Sequence, residues 1–262
     1  MSRYAILSDI HGNLFALKEV VRDFKDIDHV ILLGDIIDYG MQSNEVIKFI
    51  HDNLAPKIIC NIWGNHENAI LTEDYSNFSS ERGVESAKYT ASQLSDFSKF
   101  YLDNECTHEG FYEMPLDGKK VLAVHGSLND NYWKSIFPNN LNGEYEEYDI
   151  VLSGHSHYPH VFQKFYEVDN PEMRNKKSVL FINPGSVGQP RNHNPNAQYA
   201  ILDTETMSVE LKSIEYPKNK IVTILADNFL KNKENIKATA NSAIHKPIYP
   251  PPIIISIYNP LA

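Results

Sequence analysis

Cysteine is nearly absent from this chain of 262 residues, which carries only Cys60 and Cys106. Two thiols exclude a disulfide framework and a cysteine zinc cage. Basic side chains are in the minority: 24 Lys and Arg stand against 34 Asp and Glu, a formal net charge of −10. That balance argues against a broad grip on nucleic acid or on an anionic membrane, which needs basic surface to displace counterions. It leaves room for a phosphorylated substrate, because bound cations invert the local field. No apolar run reaches the ~18 residues of a membrane span, and Met1-Ser2-Arg3-Tyr4 does not read as a signal peptide. The expectation is a soluble, cytoplasmic protein in reducing surroundings. What is present, 42% hydrophobic and 22% charged residues, is ordinary globular composition and excludes disordered and fibrous classes. The length suits one large domain or two small ones.

Short apolar runs alternate with helical patterns, as in a layered α/β fold. Seven runs read as buried strands: 4–8, 29–33, 57–62, 121–124, 150–153, 179–183 and 199–203. Leu14, Leu17, Val21 and Phe24 recur at helical spacing behind Asn13, a natural N-cap. Val46, Ile47 and Ile50 mark a second helix, with Ser43 or Asn44 expected as its cap. Val84, Ala87, Ala91, Leu94, Phe97 and Tyr101 trace one longer stripe and predict a single helix there. Residues 129–147 are polar and read as an insertion or lid loop. The pattern changes at about Pro217. Residues 217–262 are read as a C-terminal extension, with a poorly patterned helix over 225–243 and a Pro-rich apolar tail around Ile253-Ile254-Ile255. Such a tail is too β-prone to stand free in water and is expected to pack on its own domain or to join a second subunit in a homo-oligomer.

The chemistry sits just after the strands. Five of the 11 histidines (His11, His66, His125, His155 and His157) fall one to four residues beyond a predicted strand end, as do Asp9, Asp35 and Asn65, and Asp38 follows five beyond. Loops leaving the carboxyl ends of strands in an open α/β sheet converge on one crevice, so these nine side chains are predicted to meet. Taken singly, most have a bland explanation. Asp9-x-His11 is a common surface turn, Asp35 and Asp38 suit a helix start, Gly64-Asn65 suits a turn, and His125 suits a hydrogen-bonded core edge. Gly154-His155-Ser156-His157 is harder to explain as packing, because two imidazoles stand one residue apart at a strand end. Five such elements in succession fit a pair of divalent cations. Mutually repelling ions need an anionic bridge and several further donors, and a set of Asp, Asn and His without Cys suits manganese, iron or zinc.

Together these motifs resemble the calcineurin-like metallophosphoesterase family. The resemblance runs in order through Asp9-x-His11, Gly34-Asp35-x-x-Asp38, Gly64-Asn65-His66-Glu67, His125-Gly126 and Gly154-His155-x-His157. The run Asn183-Pro184-Gly185-Ser186-Val187-Gly188-Gln189-Pro190-Arg191 is similar to the small bacterial and archaeal phosphodiesterases of that family. The resemblance implies a four-layer α/β/β/α sandwich, two mixed β-sheets flanked by helices, over residues 1–216. It implies two divalent metal ions: Asp9, His11 and His157 on the first, Asn65, His125 and His155 on the second, and Asp35 bridging both. His66 would be the catalytic histidine and Asp38 the carboxylate that orients it. The implied activity is hydrolysis of a small phosphodiester or phosphomonoester by in-line attack of a metal-activated hydroxide, with a nucleotide or dinucleoside polyphosphate among the substrates.

Two departures bear on the substrate. The protein serine/threonine phosphatases call for arginine where this chain has Tyr39 and Trp63, so a bidentate guanidinium clamp is missing from both places. Tyr39 and Trp63 could stack on a base or simply pack against the wall, and Arg191 is a candidate phosphate contact. A different class of function remains on the same fold, the protein-binding scaffold exemplified by a retromer subunit. The completeness of the ligand set favours the enzyme.

Overall fold

The computed structural model describes residues 2–220. The expected helix over 225–243 and the apolar tail lie outside the described residues. Ten strands and five α-helices follow in chain order: β1 (Arg3–Leu7), α1 (Leu14–Asp23), β2 (His29–Leu32), α2 (Ser43–Leu54), β3 (Ile58–Asn61), α3 (Asn65–Thr72), α4 (Glu81–Gln93), α5 (Asp96–Asn104), β4 (Phe111–Leu116), β5 (Lys119–Val124), β6 (Ile150–Ser153), β7 (His160–Glu167), β8 (Lys176–Asn183), β9 (Ala197–Asp203) and β10 (Ser208–Ile214). They form two five-stranded sheets, ordered β10-β9-β1-β2-β3 and β4-β5-β6-β8-β7. Both are mixed. β1, β2 and β3 run parallel, as do β5, β6 and β8, with antiparallel strands outside them.

Alternation along the central strands builds the layers. In β1, Tyr4 and Ile6 face the second sheet, whereas Ala5 and Leu7 face the helices. In β5, Val121 and Ala123 meet the first sheet, and Leu122 and Val124 point to the outer side. A strand buried on both faces in this way reads as a continuous apolar run, which is why these strands were legible. Helices α1, α2, α4 and α5 supply Leu17, Val20, Ile47, Ile50, Ala87 and Leu102 to the outer core of the first sheet. On the second sheet that role falls to Ile136, Tyr145 and Tyr148, from the segment between β5 and β6. The predicted loop over 129–147 holds no helix or strand.

Three local expectations need correction. The single helix expected over 84–101 is two, because the chain turns extended at Leu94 and Ser95 caps a new helix by accepting from the Ser98 N–H at 3.1 Å. Phe97, expected on the buried stripe, is consequently 42% exposed. At α2 neither Ser43 nor Asn44 is the cap. The helix begins at Ser43, and its Oγ accepts from the Asp38 N–H at 3.2 Å, holding the neighbouring loop. At α1, Asn13 does cap as expected, accepting from the Ala16 N–H. Among the described residues, no helix is long and apolar enough to cross a membrane.

Candidate metal centre

The parallel strands deliver their carboxyl ends to one edge of the double sheet. β1 delivers Asp9 and His11, β2 delivers Asp35 and Asp38, and β3 runs into α3 through Gly64, Asn65 and His66. β5 and β6 bring His125, His155 and His157 from the other sheet. Two donor groups result, Asp9, His11, Asp35 and His157 in one and Asp35, His125 and His155 in the other, with the donor atoms of each group within 4.8 Å of one another. Asp35 belongs to both. Its Oδ2 lies 3.7 Å from His11 Nε2 and 3.3 Å from His125 Nε2. Asn65 joins the second group, its Oδ1 standing 3.0 Å from His125 Nε2 and 2.9 Å from His155 Nδ1. The nine side chains that the sequence scatters over some 150 positions are therefore in one place.

The tautomers show what this place is suited to hold. His11 Nδ1 lies 3.2 Å from the Ile37 carbonyl, and His157 Nδ1 bonds the Gln189 carbonyl. A carbonyl only accepts, so both rings carry a proton on Nδ1 and turn Nε2 toward the site. Those two Nε2 atoms face each other at 3.2 Å. Asp9 Oδ1, 3.0 Å from His157 Nε2, is fully buried and has no hydrogen-bond partner. Three donor atoms converging at these separations suit a cation among them. Burial holds His11 in its neutral form, with a pKa near 3, and likewise His155, with a pKa of about 4. His125 differs. Burial opposes its charge, but the Asp35 carboxylate outweighs that and raises it to about 9. Burial also opposes the charges of Asp9 and Asp35, yet both stay below the usual carboxylate range, drawn down by His157 and by His125 with His66, respectively.

His66 stands beside the bridge. Its N–H donates to Asp35 Oδ1 at 2.9 Å, and its Nδ1 donates to Asp38 Oδ2 at 2.6 Å. Burial works against its protonated form, but the Asp35 and Asp38 carboxylates prevail and raise its pKa. Asp38 is fixed on its other oxygen by the hydroxyls of Ser86 at 2.7 Å and Thr90 at 2.8 Å. Sequence reading missed this pair. Two hydroxyls four residues apart on one face of α4 were the available signal. It also left Glu67 without a role. This buried carboxylate accepts four backbone N–H groups, those of Asp35, Ile36, Ile37 and Gly64, and so ties the β2 loop to the start of α3. Gly64 lets the two loops approach so closely because a Cβ there would meet Asp35 Oδ1 at 2.1 Å.

Strain concentrates at the centre. Asp9, His11, Asp35, Asp38, Tyr39, His155 and His157 all have positive φ, seven of the fifteen such non-glycine residues among the described residues. Left-handed backbone costs these residue types ~1–3 kcal/mol each and persists only where its surroundings hold it. Tyr39 lies over the site, its ring 4.8 Å from that of His11 and 4.6 Å from that of His66. Burial raises its hydroxyl to about 12, with the Arg191 guanidinium pulling the other way. Arg191 is exposed, and its backbone N–H reaches the His157 carbonyl at 3.4 Å. Trp63 is only 6% exposed, stacks on His108 and donates its indole N–H to the Leu102 carbonyl, so it is wall packing rather than a stacking platform.

The chain is similar to known proteins. A family model described as the calcineurin-like phosphoesterase superfamily domain matches residues 3–207. Over 238 residues the chain is 30% identical to the uncharacterized protein MJ0912 of Methanocaldococcus jannaschii, covering 87% of this chain and 94% of that one. It is 24% identical over 211 residues to the phosphodiesterase YfcE of Escherichia coli, covering 80% and 91%. A metallophosphoesterase structure from Sphaerobacter thermophilus aligns with a TM-score of 0.62 at 25% identity, covering 89% of this chain and 94% of its own. With a family match spanning both sheets and the buried Asp/His cluster at their edge, the chain belongs to the calcineurin-like phosphoesterase superfamily.

Proposed function

We propose that the protein is a dinuclear metal-dependent phosphodiesterase or phosphatase acting on a small phosphoester. The observation that carries this reading is the pair of Nε2 atoms of His11 and His157 facing each other beside the orphaned Asp9 oxygen, with Asp35 shared by a second donor group. Asp9, His11 and His157 would hold one ion and Asn65, His125 and His155 the other, with Asp35 common to both donor groups. The mixed O and N donors suit manganese, iron or zinc. Two such ions, when bound, act as Lewis acids that activate water and clamp the oxygens of an in-line displacement at phosphorus.

The remaining chemistry belongs to the side chains. The leaving oxygen needs a proton, and His66 holds one at Nε2 because Asp38 keeps the Nδ1 proton engaged and favours the charged ring. Ser86 and Thr90 keep Asp38 turned to that task. Arg191 and Tyr39 bind the non-reacting phosphoryl oxygens from the His11 and His157 side. Replacing Asp35 by Asn removes the shared charge, and hydrolysis of bis(p-nitrophenyl) phosphate by metal-replete protein is expected to vanish. Elemental analysis is expected to find two ions in the native chain and fewer in the variant. Activity that survives Asp35→Asn would end this mechanism.

A further inference from the structure

Of the aromatic rings that rim the centre, those of Phe78 and Trp133 have no part in the hydrolytic chemistry. Phe78, on the chain between α3 and α4, meets His66 edge-on at 5.2 Å. Trp133, on the segment between β5 and β6, meets Phe78 at 5.2 Å and His155 at 6.3 Å. With Tyr39 at 4.6 Å from His66, rings from three separate loops form a continuous arc from His11 to His155. Both Phe78 and Trp133 are partly exposed, and Tyr39 is 36% exposed. All three are built in rather than loose. Gly83 makes room for the Phe78 ring, since a Cβ there would meet it at 2.9 Å. Asp130 Oδ1 accepts from the Tyr132 and Trp133 N–H groups and fixes the turn that presents the indole.

The ionic environment gives these rings a purpose. Among the described residues, the ion pairs of Asp9, Asp35 and Asp38 are all with histidines. Cations at the centre and Arg191 meet the phosphoryl group, which leaves the exposed rings open to a contact of another kind. A planar π system attached to the phosphoryl group supplies it, because stacking on an aromatic side chain tolerates any base and is substantial for each ring engaged. We propose that Phe78 and Trp133 form a subsite for the nucleobase of a nucleotide phosphoester, with the phosphoryl group at the metal centre. The proposal rests on the hydrolase reading above and specifies its substrate class.

The test uses the full, manganese-loaded chain and two probes that differ only in the base, AMP and ribose 5-phosphate. Phenyl phosphate serves as a third arm, separating a nucleobase site from a general aryl site. Tryptophan emission reports stacking directly, since the other indole, Trp63, is buried against His108. AMP is expected to quench emission and to inhibit hydrolysis of bis(p-nitrophenyl) phosphate at concentrations roughly five- to 150-fold lower than ribose 5-phosphate. Phenyl phosphate is expected to fall between them. Trp133→Leu should abolish the quenching and bring the AMP to ribose 5-phosphate ratio close to one. Phe78→Leu should lower that ratio in part, and thermal midpoints would verify that both variants fold. Equal inhibition by AMP and ribose 5-phosphate, phenyl phosphate binding as tightly as AMP, or a ratio that survives both substitutions would overturn the subsite. Absence of hydrolysis with AMP quenching intact would instead overturn the hydrolase reading alone.

Discussion

Glu67→Gln is the most demanding test of how the centre is held. Each carboxylate oxygen of Glu67 accepts two backbone N–H groups, Oε1 from Ile36 at 2.7 Å and Ile37 at 3.1 Å, and Oε2 from Asp35 and Gly64, both at 2.8 Å. Glutamine keeps the shape and one acceptor oxygen. Its NH2 group must then face two N–H donors, leaving both buried without a partner. Each such group costs about 1–3 kcal/mol, so the substitution is expected to cost about 2–6 kcal/mol. For a folded unit of this size about 1 kcal/mol moves the thermal midpoint by ~2–4 °C, which gives a fall of roughly 5–20 °C. Because the tie holds the left-handed backbone at Asp35, a proposed metal ligand, manganese affinity should fall as well. Calorimetry of the metal-free protein gives the first quantity and a manganese titration the second. A midpoint within about 2 °C of the native value, with unchanged metal affinity, would refute the claim that this carboxylate organises the loops.

Other outcomes follow from the same geometry. His66→Ala should retain its metal by elemental analysis while turnover falls by about 10²–10⁴, most steeply for substrates with poor leaving groups; loss of metal would make His66 a ligand instead. In the metal-free protein His125 is raised to about 9 by Asp35 against the opposing effect of burial, whereas His11 and His155 are already neutral at pH 7. Metal binding at pH 7 should therefore release about one proton from these three, seen by calorimetry in buffers of different ionisation enthalpy. With its folded pKa above the unfolded ~6.5, protonated His125 stabilises the metal-free fold fully below that pH, and the contribution is lost as pH rises through about 9. Burial raises Cys60 to about 12 and drives Cys106 well above its ordinary value. Both thiols should resist alkylation at pH 8 and react only on unfolding, and rapid labelling of the native protein would contradict the packing.

Legibility followed burial. The seven strands predicted from apolar runs are all present, and six of them, β1, β2, β5, β6, β8 and β9, lie inside the sheets; β3 is the exception. The three missed strands, β4, β7 and β10, are all edges. An edge strand has a solvated side, so its residues mix polar with apolar, as in the exposed Tyr112, Phe165 and Leu211, and no run stands out. Helix α3 was missed for another reason. Its first turn is Asn65-His66-Glu67, whose side chains serve the site rather than an apolar face, and periodicity has nothing to register there.

By itself the sequence determined the alternating order of strands and helices, the donors that follow the strand ends and the absence of cysteine from that donor set. These are local properties, written in spacing and in side-chain chemistry. Only the tertiary structure decided that His11 and His157, 146 positions apart, aim their Nε2 atoms at one point, because the orientation of each ring depends on the carbonyls of Ile37 and Gln189. Tertiary structure likewise withdrew Trp63 into the wall and brought Phe78 and Trp133 to the rim. No spacing rule reaches such pairings, since they arise from two sheets packing face to face and from loops held in left-handed backbone by what surrounds them.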